Sequence, residues 1–363
     1  MHVVLFSLEP WDGVWRRNQH LVANLVEQGL VEHVSFVEPP LLRRRIDTWS
    51  PMPGVSVVAP WMAVPKRLGG LRTGARDVLR RVSDVDVFWV NDPAFGVHAL
   101  GRGTGVVYDV TDDWRGFTFP ARILRRITRA EDALAAGAST VVCSEVLAER
   151  WAQRYGVRAA VVCNGVDATS WAEATPGELP GPGPHVGYVG TLHQDRLDVD
   201  LVRDVAARPE VGTVHLVGPD ALDEATRARL ADEPKIRFHG PVASADVPGA
   251  VLAMDVLVSP HRLSDFTLSL DAIKAREYVV SGRPVVATPT SGFQRMPADE
   301  VTVASGIGFV DAVASLCAAT PGAEPRVRVR EEWTWASRAR EFERELVAAR
   351  AGRSRSPGPP VTR

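Results

Sequence analysis

Lysine is scarce in this 363-residue chain, where Lys274 is one of three against thirty-nine arginines. It precedes Glu277 by three residues, a spacing that sets both heads on one helix face a turn apart. A cation and a carboxylate specified together against an arginine background point to a charged ligand. The same pair also fits an ordinary surface ion pair. A second cation, Arg196, follows Gly190 by six residues, and its planar fork matches phosphate oxygens. A solvated arginine beyond a tight turn has the same spelling.

These residues need elements to hold them. Apolar spacing predicts a helix over 270–280, ended by Gly282 in a left-handed cap, then a short buried strand over 284–288. The loop leaving that strand contains Ser291 and Gly292, small enough for backbone N–H groups to approach a phosphate. Upstream, a strand over 185–189 ends in Gly190 and leads to a helix starting near Asp198. The runs LVGP at 216–219 and FHGPV at 238–242 are further strand ends finishing in Gly-Pro. Strand-like runs also fall at 2–8, 33–37, 55–59, 86–90, 105–110, 139–143 and 159–163, with helical spacing over 19–28 and 130–136. After a Pro/Gly-rich interruption at 176–184, the series resumes at 185–189, 213–217, 236–239, 255–259, 284–288 and 301–304. Strand–helix alternation implies parallel sheets with right-handed crossovers, hence an α/β chain of two doubly wound domains. Ligands in such folds sit outside the carboxyl ends of the strands.

Composition narrows the class. With 45% apolar residues and a net charge of −2, the chain suits a two-domain globular protein and not a globally basic nucleic-acid binder. Cys143, Cys163 and Cys317 lie singly, without CxxC or Cys/His clusters, which argues against disulfides and zinc. No charged leader or apolar stretch of eighteen residues is present, so a cytoplasmic location without a membrane span is expected. The DVD strings at 84–86 and 198–200 formally match a metal motif, but Asp198 at a helix start suffices as a cap. No metal or other cofactor is expected. Gly101-Arg-Gly-Thr-Gly105 leads into a strand and is a poor dinucleotide fingerprint.

The order of segments resembles the family 4 retaining glycosyltransferases of GT-B architecture, the group-1 glycosyl transferase type. The carriers are GYVGTL at 187–192, LVGP at 216–219, FHGPV at 238–242 and SLDAIKAREYVVSGRPVVAT from 269, similar to the family's PxKxxEYLAxGxPVVAT. NGVD at 164–167 looks like the family's string at the end of the first domain. The opening at 9–21 is similar to a subset reading W…RRxQxL, seen in cell-wall and capsular polysaccharide assembly. The resemblance implies two Rossmann-like domains facing across a cleft, with acceptor on the first and nucleotide-sugar donor on the second. The expected divisions are 1–168 and 185–334, a linker at 169–184, a C-terminal helix at 335–350 packing back toward the first domain, and a disordered tail at 351–363.

Carried over by position, the resemblance makes Glu277 the second glutamate of the E-x7-E motif, accepting from ribose hydroxyls. Arg196 stands where a phosphate-binding lysine is usual. Thr191 replaces an arginine and Ser269 the first glutamate, so Lys274 is expected to restore the cation and Asp271 part of the carboxylate. The implied donor site comprises Gly190, Thr191, Leu192, Arg196, Gly218, Pro241, Val242, Asp271, Lys274, Glu277, Ser291 and Gly292. Arg196 and Lys274 also count as catalytic through the leaving phosphates. On the acceptor side stand Trp11, Asp12, Arg16, Arg17 and Gln19. Asp112 falls where many members carry a histidine facing the sugar. With Asp113 it would polarise an acceptor hydroxyl or stabilise charge on the ring, although paired aspartates after a strand also simply cap helices.

Basic residues interleaved with Trp49, Trp61, Met62 and Leu68 between 43 and 81, and a second basic run over 115–129, suit an anionic membrane surface. They equally suit a solvated face. The expected partners are a nucleotide-sugar donor and a glycan, lipid-linked or small-molecule acceptor, without nucleic acid. A nucleotide-sugar epimerase and a degenerate binding-only protein remain the competing readings.

Overall fold

The computed structural model describes residues 1–41, 47–62, 70–117, 119–319, 322 and 324–352. Two compact units emerge, Met1–Cys163 with Trp335–Arg363, and Asn164–Thr334. Among the described residues no helix is long and apolar enough to cross a membrane.

In the first unit, valine-rich runs that favour the pleated backbone form β1 (His2–Phe6), β2 (His33–Val37), β3 (Asp47–Met52), β4 (Val55–Ala59), β5 (Val87–Val90), β6 (Gly105–Val110), β7 (Ser139–Val142) and β8 (Ala160–Val161). Their order across the sheet is β3-β4-β2-β1-β5-β6-β7-β8. Only β3 runs antiparallel, against β4. The connections are α1 (Arg17–Glu27), α2 (Gly70–Arg81), α3 (Pro93–Gly96), α4 (Ala121–Gly137) and α5 (Glu145–Tyr155). Every residue of β5 and β6 is buried, as expected for parallel strands covered on both faces. The strand order reverses between β1 and β5, which marks the carboxyl ends of these strands as the unit's ligand-binding edge.

The second unit contains α6 (Ala168–Glu173), β9 (His185–Val189), β10 (Leu192–His193), α7 (Val199–Ala206), β11 (Thr213–Val217), β12 (Asp220–Ala221), α8 (Glu224–Ala231), β13 (Ile236–Gly240), α9 (Val247–Leu252), β14 (Val256–Ser259), α10 (Asp265–Leu268), α11 (Ile273–Ser281), β15 (Val285–Ala287), α12 (Ser291–Gln294), β16 (Val301–Val303) and α13 (Gly306–Ala319). The main sheet, β13-β11-β9-β14-β15-β16, is parallel throughout, and β10 pairs with β12 apart from it. Alternation along β9 sends Val186 and Tyr188 into one apolar layer with Phe309, and Val189 into another with Trp171, Tyr278 and Phe293. Here the order reverses between β9 and β14.

The last helix, α14 (Trp335–Ala351), belongs to the first unit. His20 stacks on Trp335 at 4.9 Å and Trp89 meets Phe342 at 4.4 Å. A side chain at Gly105 would overlap the backbone of Ala349, so glycine there lets the helix lie on β6.

Several expectations are corrected. Residues 164–168 fall in the second unit, not the first. The Pro/Gly run 176–184 is no free linker, because Gly177 N–H donates to Gly249 O at 3.1 Å and Thr213 Oγ1 to Pro182 O at 2.8 Å. The helix expected from 270 starts at Ile273. Its first residues are held out because the Asp271 carboxylate accepts from Asn164 N–H and Leu270 O accepts from Gly292 N–H. The basic residues 43–45, 66 and 67, Leu68, and tail residues 353–363 lie outside the described residues.

Candidate active site

The carboxyl ends of β9 and β14 carry a group of polar side chains in the second unit. Gly190 leaves β9 with φ +144°, and a Cβ there would stand 2.6 Å from Lys274 Nζ. The glycine is therefore space for the ammonium. Lys274, in the first turn of α11, rests its Nζ on the Tyr188 ring, 3.6 Å from the centroid. The Tyr188 hydroxyl in turn donates to Thr191 O at 3.0 Å. One turn along α11 is Glu277, whose carboxylate makes no hydrogen bond among the described residues, leaving its oxygens as acceptors. Burial pulls Lys274 down to about 7, against the pull of Glu277 and with that of Arg196. Burial pushes Glu277 up to about 7, opposed by Lys274.

Arg196 is electrostatically coupled to Lys274, His193 and His261 and stacks on Phe266 at 4.6 Å. His261, just beyond β14, is buried beside Ser259 Oγ at 2.9 Å. Burial, then Lys274, Arg196 and His193, hold it well below its ordinary range. His193 falls to about 4 through burial and then Arg196. Both imidazoles stay neutral, so Lys274 and Arg196 supply the cationic charge.

Other expected donor residues divide. Gly218 has φ +141°, and a Cβ on it would overlap Gly190 O. These two glycines thus make room for each other. Their N–H groups are spent on the sheet edge, Gly190 to Val217 O and Gly218 to Gly240 O, each at 2.8 Å. Leu192 is buried and donates its N–H to Pro219 O, whereas Pro241 is exposed and Val242 partly buried. Ser291 and Gly292 are buried, and a Cβ at Gly292 would crowd Ala272 N at 3.2 Å, so this turn packs against the start of α11. Asp271 does not stand as a spare carboxylate. It is buried and receives two hydrogen bonds from Arg276 Nη1, at 2.9 and 3.0 Å, and one from Asn164 N–H. Ser269 Oγ donates to Phe266 O at 2.8 Å.

In the first unit, Glu9, Asp12, Arg16 and Asp112 gather where β1 and β6 end. Arg16 lies 3.5 Å from Glu9 and 3.3 Å from Asp12. Burial pushes Glu9 up to about 7; Arg16 pulls it back, and Asp112 and Asp12 add to the rise. Trp11 packs edge-on to Phe36 at 5.1 Å, with its N–H on Glu38.

Three expected ligand residues prove structural. Arg17 is buried in a two-bond pair with Asp109, Nε and Nη2 each donating at 3.0 Å. Gln19 braces the start of α1, accepting from Arg16 N–H and donating to Pro10 O. Asp113 is held by Arg150 at 2.9 Å and Arg154 at 3.3 Å while capping the turn at Trp114–Gly116. A buried carboxylate committed to two guanidiniums is poorly placed to take an acceptor proton.

Tyr188, His193, His261 and Glu9 escaped the sequence reading. Tyr188 and His193 flank the strand-end glycine, a position that could have flagged them. Nothing local distinguishes Glu9 or His261 from turn residues.

Comparison with known proteins gives first a fold and then a family. Sucrose-phosphate synthase from Thermosynechococcus elongatus superposes with a TM-score of 0.71 at 16% identity over 96% of this chain and 99% of that one. WaaG, a glycosyltransferase involved in lipopolysaccharide biosynthesis, gives 0.66 at 15% identity over 96% and 98%. Anabaena HepE in complex with UDP-glucose gives 0.60 at 16% identity over 97% of both chains. The fold is that of the GT-B glycosyltransferases. Residues 183–319, all within the second unit, match the family model described as "Glycosyl transferases group 1". A putative teichuronic acid biosynthesis glycosyltransferase, TuaH of Bacillus subtilis (strain 168), is 25% identical over 112 residues, 31% of this chain and 28% of that protein's length.

Proposed function

We propose that the protein transfers a sugar from a nucleoside diphosphate sugar to a glycan, lipid-linked or small-molecule acceptor, with retention of anomeric configuration. The observation that carries this reading is the convergence of Lys274, Arg196 and Glu277 at the β9/β14 edge of a group 1 domain. As the sugar–phosphate bond breaks, negative charge builds on the diphosphate. The ammonium of Lys274 and the guanidinium of Arg196 meet that charge without reorganising, usually the largest contribution in such sites. The Glu277 carboxylate accepts hydrogen bonds from ribose hydroxyls. Charge on the leaving group is thus carried by side chains, and activity is expected to survive chelation of divalent metal. In the first unit, Asp112 and Glu9 polarise the acceptor hydroxyl, with Asp12 and Arg16 beside them and Trp11 as an apolar wall. The roles of TuaH in teichuronic acid biosynthesis and of WaaG in lipopolysaccharide biosynthesis support a cell-envelope polysaccharide acceptor and a cytoplasmic, membrane-peripheral place for the reaction.

Ser269, its hydroxyl turned onto Phe266, favours a second reading in which the site binds donor without turning it over. Nucleoside diphosphate release, measured across UDP-, GDP- and dTDP-sugars with an acceptor panel, separates the two. Acceptor-dependent release that persists in EDTA supports transfer. Donor binding without release, with or without acceptor, supports the second reading and overturns the first.

A further inference from the structure

The first unit has a polar cavity of about 460 Å³ beneath the carboxyl end of α2, over the amino ends of β1, β2 and β4. It lies at the opposite end of these strands from Glu9 and Arg16. The strand register explains its lining. Val4 pairs with Ser35, Ser35 with Ser56, and Thr48 with Val58, so alternation sets His2, Ser35, Ser56 and Thr48 on the face that α2 covers. Farther along the same strands that face is apolar, with Val4, Phe6 and Val37 packed with Ala75 and Val78 of α2. A covered face of a parallel sheet ordinarily continues apolar, and here it gives way to hydroxyls and an imidazole. Ser35 is buried, its Oγ 2.9 Å from His2 Nε2. The hydroxyls of Thr48, Ser56 and Ser83 and the carboxylate of Asp84 make no hydrogen bond among the described residues.

The lining selects its ligand. Hydroxyls both donate and accept, Arg81 only donates and the Asp84 carboxylate only accepts, a mixture that matches a ring of hydroxyl groups. Val58, Val78 and Val82 offer apolar contact to the C–H face of such a ring. One guanidinium against one carboxylate, beside the partly negative end of a helix, gives a phosphate no net attraction. No Phe, Tyr or Trp ring lines the wall for a nucleobase to stack on, and the volume lies in the range of small-molecule sites. We propose that this cavity binds a neutral sugar residue, making a second carbohydrate site separate from the donor site. Its use, holding a residue of the glycan acceptor away from the reacting end, rests on the transfer reading above. Binding here involves no turnover, so either can fail alone.

The full chain is titrated with glucose, galactose, mannose and N-acetylglucosamine, followed by saturation-transfer NMR, with glucose 6-phosphate as the anionic counterpart. Ser56→Val removes one hydroxyl and keeps a residue that favours strands. Asp84→Gly removes the carboxylate at φ 53°, a conformation that glycine adopts freely. At least one neutral sugar is expected to bind wild type, and to bind about threefold or more weakly to Ser56→Val and about tenfold or more weakly to Asp84→Gly, with a thermal melt matching wild type as the check on folding. No binding of any of these sugars at tens of millimolar overturns the proposal. So does equal binding by wild type and both variants, which would place the sugar elsewhere. Binding of glucose 6-phosphate with none of the neutral sugars also overturns it, since the site would then take an anion.

Discussion

Arg17→Ala separates a structural arginine from a ligand-binding one. Asp109 is 0% exposed and Arg17 6%, and two donor atoms of the guanidinium reach the carboxylate at 3.0 Å. Removing one partner of such a pair strands the other charge in the interior, at a cost of about 3–5 kcal/mol. For a cooperative unit of this size each kcal/mol moves the thermal midpoint by about 2–4 °C, so a fall of about 6–20 °C is expected. The assay is a melt followed by circular dichroism, comparing wild type, Arg17→Ala and the double variant Arg17→Met/Asp109→Leu. The double variant exchanges both charges for apolar groups of similar size and should recover most of the loss. An unchanged midpoint in Arg17→Ala, with lost acceptor use, would refute the argument and return Arg17 to the acceptor site.

Three further outcomes are expected. Gly218→Ala would force a side chain at φ +141° against Gly190 O, a strain of about 1–3 kcal/mol. It should weaken UDP binding by displacing the β9 end, and wild-type affinity in a titration would contradict that. Lys274, pulled down to about 7, must carry a proton to hold a diphosphate. UDP affinity should therefore be full below pH 7 and weaken by up to about tenfold per unit above it, whereas a flat profile from pH 6 to 8.5 would remove Lys274 from the phosphate. His215 is fully buried between His185 and His239 and falls to about 3, chiefly by burial. Because the unfolded imidazole takes a proton near 6.5 and the folded one does not, stability is full above that pH. It should drain by up to about 1.4 kcal/mol per unit as pH falls toward 3. A melt series in which His215→Leu is as acid-sensitive as wild type would contradict this.

Much of the second unit was legible because its signals are local. Gly282 adopts the left-handed cap at φ 69°, and Asp198 caps α7 by accepting from Leu201 N–H at 3.1 Å. The three-residue spacing of Lys274 and Glu277 survived as a shared helix face. What failed to show were partners distant in sequence. Asp271 reads as a free carboxylate until Arg276 and Asn164 are seen to claim it, and Arg17 as a cleft residue until Asp109, 92 positions on, appears beneath it. The antiparallel edge strand β3, with Ser-Pro inside it, carries no alternating apolar pattern to announce it.

The central claim is that Lys274, set on the Tyr188 ring beside Gly190, grips the donor diphosphate. Calorimetric titration of UDP into wild type and Lys274→Met tests it most directly, because methionine keeps the length and packing of the side chain and removes only the charge. The account predicts at least about a tenfold loss of affinity, since a hydrogen bond to a charged group contributes about 1.5–3 kcal/mol. The thermal midpoint of the free protein should change little near neutral pH, because Glu277, already pushed up to about 7 by burial, can take a proton once the ammonium is gone. Equal affinity of the two proteins for UDP would contradict it.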